Sequence, residues 1–126
     1  MSKVTCCALS QLKDIAGPND INLFIVRNPK SNINSVSVFQ YLAPSHELYT
    51  FYLKNKDSEG WWNVYKGIFQ KELQSTEKQL GLALVRDYVH DGFNVNLICY
   101  CSDYKQCHRS LVAEELRKMG VEVDLL

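Results

Sequence analysis

Ile21-Asn22-Leu23-Phe24-Ile25-Val26 is almost unbroken in apolar, aromatic and β-branched side chains, the pattern of a strand covered on both faces, and Arg27-Asn28-Pro29 ends it. Val95-Asn96-Leu97-Ile98-Cys99-Tyr100 repeats that pattern and predicts a second buried strand. Val121-Glu122-Val123-Asp124-Leu125 alternates with period two, which suits a last strand with one less buried face. Near the start, Val4 to Leu9 predicts a short first strand. Ser10 then stands as N-cap of a brief helix that Gly17 and Pro18 terminate.

Between the two buried strands the period changes from two to between three and four. Ser45 is placed to cap a helix through His46, Leu48 and Phe51 to about Lys54, and Ser58 to cap the next. In that second helix Trp61, Trp62, Tyr65, Ile68, Phe69 and Leu73 form a wide apolar face. A third starts at Ser75 or Thr76, carries Leu80, Leu84, Tyr88 and Val89 on one side, and ends before Gly92. A fourth runs from about Gln106 to Met119 and stops at Gly120. Strands alternating with helices predict a three-layer α/β fold, a parallel-rich sheet with helices on both faces. In such sheets ligands bind beyond the C-terminal strand ends, where Arg27-Asn28-Pro29 and the segment from Cys99 to Arg109 both fall. A length of 126 residues, without internal repeats, predicts one domain over residues 1–126.

Fourteen Lys and Arg balance fourteen Asp and Glu, so no global field gathers phosphate backbones or acidic lipids. Non-specific nucleic-acid binding and membrane association are therefore not expected. Met1 to Leu9 is too short and polar for a signal-peptide core, which predicts a cytoplasmic location. Five cysteines cannot all pair within one chain, and the cytoplasm would keep them as thiols. No pattern specifies an oligomeric state.

Candidate chemistry is concentrated between Cys99 and Ser110, which leaves a strand, crosses a loop and enters a helix. Three readings compete there. The helix start, with Arg109 and His108, is suited to a phosphate, carboxylate or sulfate. The same positive groups would lower the pKa of Cys107 and make it a nucleophile. Cys99, Cys101, Cys107 and His108 together have the donor types of a zinc site. Adjacent residues on a helix diverge by about 100°, however, so Cys107 and His108 are not expected to reach one ion, and neither metal nor cofactor is expected. Cys6, Cys7, His46, His90, Trp61 and Trp62 are read as packing or capping residues.

Cys99, a seven-residue gap and Cys107-His108-Arg109-Ser110-Leu111-Val112-Ala113 resemble the C-terminal signature of the domain of unknown function 488 family. Tyr41-Leu42-Ala43-Pro44-Ser45 resembles that family's Leu-Ala-Pro-Ser segment, and Trp62 through Phe69 to Glu72-Leu73 resembles its aromatic helix. The likeness runs from about Ile21 onward. Three places depart from it, one being that the family's Trp-Pro-Arg-Gly after the Arg is reduced here to Asn28-Pro29-Lys30. Cys101 stands where the family usually has an acidic residue, and Val26-Arg27 replaces its Asp-Arg, so that only the Arg carries over. The resemblance implies a small cytoplasmic α/β domain with a polar pocket built from Arg27, Cys99, Cys107, His108 and Arg109. It supplies no reaction.

On this reading Cys107 and His108 are the candidate catalytic residues. Arg27, Cys99, Cys101 and Arg109 are the candidate ligand-binding residues, and the expected partner is a small anionic ligand, a nucleotide or nucleoside. Arg27 and Arg109 are expected to converge on one anion, because each lies just past a predicted strand end. The tail from Tyr100 to Val123 is also similar to a rhodanese, which makes a cysteine-dependent enzyme the first alternative. The loop from Cys101 to Arg109 is longer than a rhodanese's and has no Gly. A non-catalytic binding module with inert cysteines is the other alternative.

Overall fold

The computed structural model describes residues 2–30, 33–101 and 103–126. Its framework is a five-stranded sheet of β1 (Val4–Ala8), β2 (Ile21–Phe24), β3 (Ser37–Val38), β4 (Val95–Cys99) and β5 (Val123–Leu125), ordered β3-β2-β4-β1-β5 with every pair parallel. The helices are α1 (Leu12–Ile15), α2 (His46–Asn55), α3 (Trp61–Glu72), α4 (Thr76–His90) and α5 (His108–Lys118). The predicted three-layer α/β fold is what forms, with unequal layers. Leu48 of α2, Tyr65 and Phe69 of α3, Leu82 and Val85 of α4, and Leu111, Val112 and Leu116 of α5 all bury against Val4, Cys6, Leu23, Val95 and Leu97. On the other face Cys7, Phe24, Val26 and Ile98 are covered by Leu9, Leu12 and Ile15 and by Ile33 and Val36. Among the described residues no helix is long and apolar enough to cross a membrane.

β4 is central, and all five of its residues are buried, as an unbroken apolar run requires. Its one amide, Asn96, donates to Asp20 Oδ2 at 3.0 Å and to Asn22 Oδ1 at 2.8 Å, so the polar group inside the sheet is satisfied by the neighbouring strand and the turn before it. Ser45 caps α2 by accepting from Leu48 N at 3.1 Å, and its hydroxyl donates to Glu72 Oε2 at 2.5 Å. That cap therefore ties α2 to the last turn of α3.

Several boundaries differ from the sequence expectation, and the strands are shorter, β2 ending at Phe24 rather than Val26 and β5 starting at Val123 rather than Val121. Ser10 is not a cap: a 3₁₀ turn, Leu9–Gln11, precedes α1, and the Gln11 side chain takes the Ala8 N–H at 2.8 Å. Ser58 is not a cap either, because α3 starts from Gly60 at φ 77°, where the chain reverses through the left-handed region that glycine enters without strain. α5 starts at His108 rather than Gln106, since Tyr104–Gln106 forms a 3₁₀ turn and Cys107 is extended. The two-residue β3 was not foreseen; it is exposed and held by pairing with Leu23 and Phe24.

β2 and β4 are neighbours, yet the chain leaves β2 for β3 on one side, while from β4 it passes through α5 to β5 on the other. The crevice outside their C-terminal ends is thus a topological switch point, where open parallel sheets place ligands.

Candidate functional site

A cavity of about 310 Å³ opens at that switch point, within the size range of small-molecule sites. Its base is made by the strand ends and the start of α5, through Val26, Arg27, Cys99, Cys101, Cys107 and His108. The opposite wall comes from α2 and α3. Tyr49 and Tyr52 are three apart on α2, and Trp61 and Tyr65 are four apart on α3, so each pair lies on one helix face and the rings interlock, Tyr52 meeting Trp61 at 5.5 Å and Tyr65 at 6.2 Å. Tyr100 brings a fifth ring to the lining. Three cations line the cavity, and none of the described residues lining it is acidic. Arg27 is held there by its Nε donating to Pro44 O at 2.9 Å. Lys30 Nζ lies 5.2 Å from the Tyr100 ring centroid, and Lys56 Nζ 5.9 Å from that of Tyr52. Asp57 and Asp103 occur only in the wider groove outside.

At the base the Sγ atoms of Cys99, Cys101 and Cys107 lie within 4.8 Å of one another, Cys99 and Cys107 being 3.1 Å apart. β4 ends on Cys99, and the extended Cys107 starts α5, so strand end and helix start place two thiols face to face. The charge of the group belongs on Cys99. Hydrogen bonding with Cys101 and Cys107, with the Arg109 guanidinium at 3.0 Å adding to it, holds Cys99 far below the usual thiol range. Its two neighbours stay protonated. Bonding to Cys107 pulls Cys101 down, but donation to Cys99 and burial outweigh it and push Cys101 up to about 12. Burial, then the hydrogen bonds to the other two thiols, raises Cys107 well above its ordinary value, even though a helix start favours a thiolate.

His108 is buried, and burial lowers its pKa, so the ring is neutral. Because Ile25 O accepts a bond from Nε2 at 2.6 Å, that nitrogen carries the proton. Nδ1 is then an acceptor, 3.8 Å from Cys107 Sγ. Phe69 packs edge-on against the ring at 5.6 Å.

Arg27, Cys99, Cys101, Cys107 and His108 therefore line one cavity. Arg109 does not join them: it is 0% exposed and absent from the lining. Its Nη1 donates to Cys99 Sγ and to Cys101 O at 2.5 Å, and its Nη2 to Leu126 O at 2.9 Å, while Nε has no partner among the described residues. The shared Arg27 and Arg109 anion site is thus replaced by two separate duties: Arg27 stands at the wall and Arg109 beneath the thiols. Sequence reasoning missed Tyr49, Tyr52, Tyr65, Lys30 and Lys56, and read Trp61 as packing only. The recurrence of rings at Tyr49, Tyr52 and then Trp61, Tyr65, with Lys56 between, was the available signal. Cys6 and Cys7 are buried as predicted, and burial pushes Cys7 up to about 11.

A family model described as the active DUF488-N3 subclade matches residues 8–120. Comparison with curated proteins and with solved structures gives no match.

Proposed function

The chain belongs to the DUF488 family, and from that premise we propose that it binds a small, flat, anionic molecule of the nucleotide or nucleoside kind in the cavity at the C-terminal sheet edge. One observation carries the reading: five aromatic rings and three cations line that cavity without a carboxylate. Rings suit the faces of a base, whose stacking is worth about 1 to 3 kcal/mol. Arg27, Lys30 and Lys56 suit a phosphate or carboxylate. The negative charge on Cys99 does not repel such a ligand, because Arg109 neutralises it from behind. In this reading Cys107 and His108 are the candidate reacting pair, the thiol facing the His108 Nδ1 lone pair. The subclade's description as active accords with a working site.

A cysteine-dependent reaction of the rhodanese kind is the second reading, favoured by the thiolate at a strand end. The side-chain donors around Cys99 differ from a thiolate wrapped in successive backbone N–H groups, which is why it ranks second.

Trp61 in the cavity wall gives the test. Titration of the purified protein with a nucleoside monophosphate, the matching nucleoside and inorganic phosphate should change tryptophan fluorescence, most tightly for the monophosphate. Arg27→Ala should weaken that binding by about 1.5 to 3 kcal/mol, the worth of hydrogen bonds to a charged group. No saturable change with any of the three, or an affinity indifferent to Arg27→Ala and Lys56→Ala, would remove the proposal.

A further inference from the structure

We propose that Cys99, Cys101 and Cys107 form a three-thiolate site for one divalent, thiophilic metal ion of the zinc type, with its fourth coordination position open to the cavity. The case rests on the convergence of three sulfurs from a strand end, a loop and a helix start. A tetrahedral zinc centre has Zn–S bonds of about 2.3 Å, which places its sulfurs about 3.8 Å apart. All three Sγ atoms here lie within 4.8 Å of one another, a span that such a triangle fits. The Cys99 and Cys107 pair, at 3.1 Å, has to open by about 0.7 Å on that bond length, within the reach of a side-chain rotation.

The divergence of Cys107 and His108, which speaks against a metal in the sequence, is real but beside the point. Nδ1 of His108 lies 3.8 Å from Cys107 Sγ, but the ring is outside the group of donor atoms that lie within 4.8 Å of one another, so it is not counted as a fourth ligand. Three protein ligands with one position left for water or a bound molecule is the arrangement of a catalytic rather than a structural zinc. Cys101 is the partly exposed member and lines the cavity with Cys99 and Cys107, so the vacant side faces the space where a ligand would enter.

Charge selects the valence. Three thiolates, one divalent ion and the buried Arg109 guanidinium sum to zero, whereas a monovalent ion leaves a net negative charge and a trivalent one a net positive charge beside a guanidinium that water does not reach. The Arg109 Nη1 contact with Cys99 Sγ, at 3.0 Å, is then an N–H···S bond of the kind that orients a ligand from outside the coordination sphere. On coordination the thiol protons leave to solvent.

The inference is independent of the organic ligand, since it is read with metal alone. The reduced protein, residues 1–126, kept free of oxygen, is titrated with Zn²⁺ against a chromophoric chelator, and with Co²⁺ as a spectroscopic stand-in. We expect one ion per chain and a sulfur-to-cobalt charge-transfer band. Cys101→Ser should lower Zn²⁺ affinity by more than about 100-fold, beyond what loss of an outer-sphere partner causes. The partly exposed position of Cys101 lets that variant fold, which circular dichroism checks. Cys6→Ala, whose sulfur is outside the trio, should bind as the parent does. Binding retained in both Cys101→Ser and Cys107→Ser would overturn the proposal. So would a protein that takes up no zinc and instead closes a Cys99 to Cys107 disulfide in air at a rate zinc does not slow.

Discussion

A guanidinium without exposed surface must have its charge and donors met locally, and Arg109 meets those of Nη1 and Nη2 with the Cys99 sulfur, Cys101 O and Leu126 O. A lysine there would keep the charge but lose the planar fork that serves three acceptors at once. Arg109→Lys is therefore expected to lower stability by about 2 to 4 kcal/mol, from unpaired carbonyls and a less well held thiolate. The urea midpoint is the measurement, and an unchanged midpoint would show the fork to be dispensable. The inward aim of Arg109 was legible in principle. Arg109, Val112, Ala113 and Leu116 follow i, i+3, i+4, i+7, and all four are buried. A charged residue in an apolar stripe is easily assigned to ligand contact when its acceptors, here two backbone carbonyls and a sulfur, come from other elements and leave no trace in local pattern.

Two glycines on neighbouring helices look alike in sequence and differ in what surrounds them. A Cβ added at Gly81 of α4 would sit 2.7 Å from Tyr41 Cβ, an atom fixed to the backbone of the turn before α2, whereas one at Gly67 of α3 meets nothing within 4 Å. Relative to glycine, alanine gains about 1 kcal/mol of helix propensity at either place. At Gly67 that gain stands, so Gly67→Ala should raise the melting temperature. At Gly81 the overpacking, about 1 to 3 kcal/mol, outweighs it, and Gly81→Ala should lower it. Helix positions were readable where a serine side chain does the capping, at Ser45 and at Ser75, which accepts from Lys78 N at 3.3 Å. The reading failed at Ser58, where backbone geometry at Gly60 starts the helix instead. It failed at β3 because two exposed residues carry no period to detect.

Alternation of strand and helix was enough to predict a parallel sheet, but not the order of its strands, because order depends on which crossovers pack on which face and no local pattern encodes that. The order β3-β2-β4-β1-β5 makes a quantitative demand on dynamics. Amides of β4, buried and paired on both sides, should exchange with solvent slowest, those of β1 and β2 next, and those of the edges β3 and β5 fastest. Hydrogen exchange resolved by residue checks this, and an edge strand as protected as β4 would contradict the order. The position of the cavity follows from the same order, since it is the divergence of the chain after β2 and β4 that leaves the crevice open. Asn96 has a further consequence for how this sheet assembles. Sliding β4 by two residues against β2 would return every side chain to its proper face, so apolar burial alone scarcely distinguishes the slipped pairing from the right one. The amide does distinguish them. Out of step it loses Asp20 and Asn22 and is left unpaired inside the sheet, at a cost of about 1 to 3 kcal/mol. Asn96 thus works as a checksum on strand alignment, rejecting a shift that the rest of the strand would accept and returning the misaligned chain to try again.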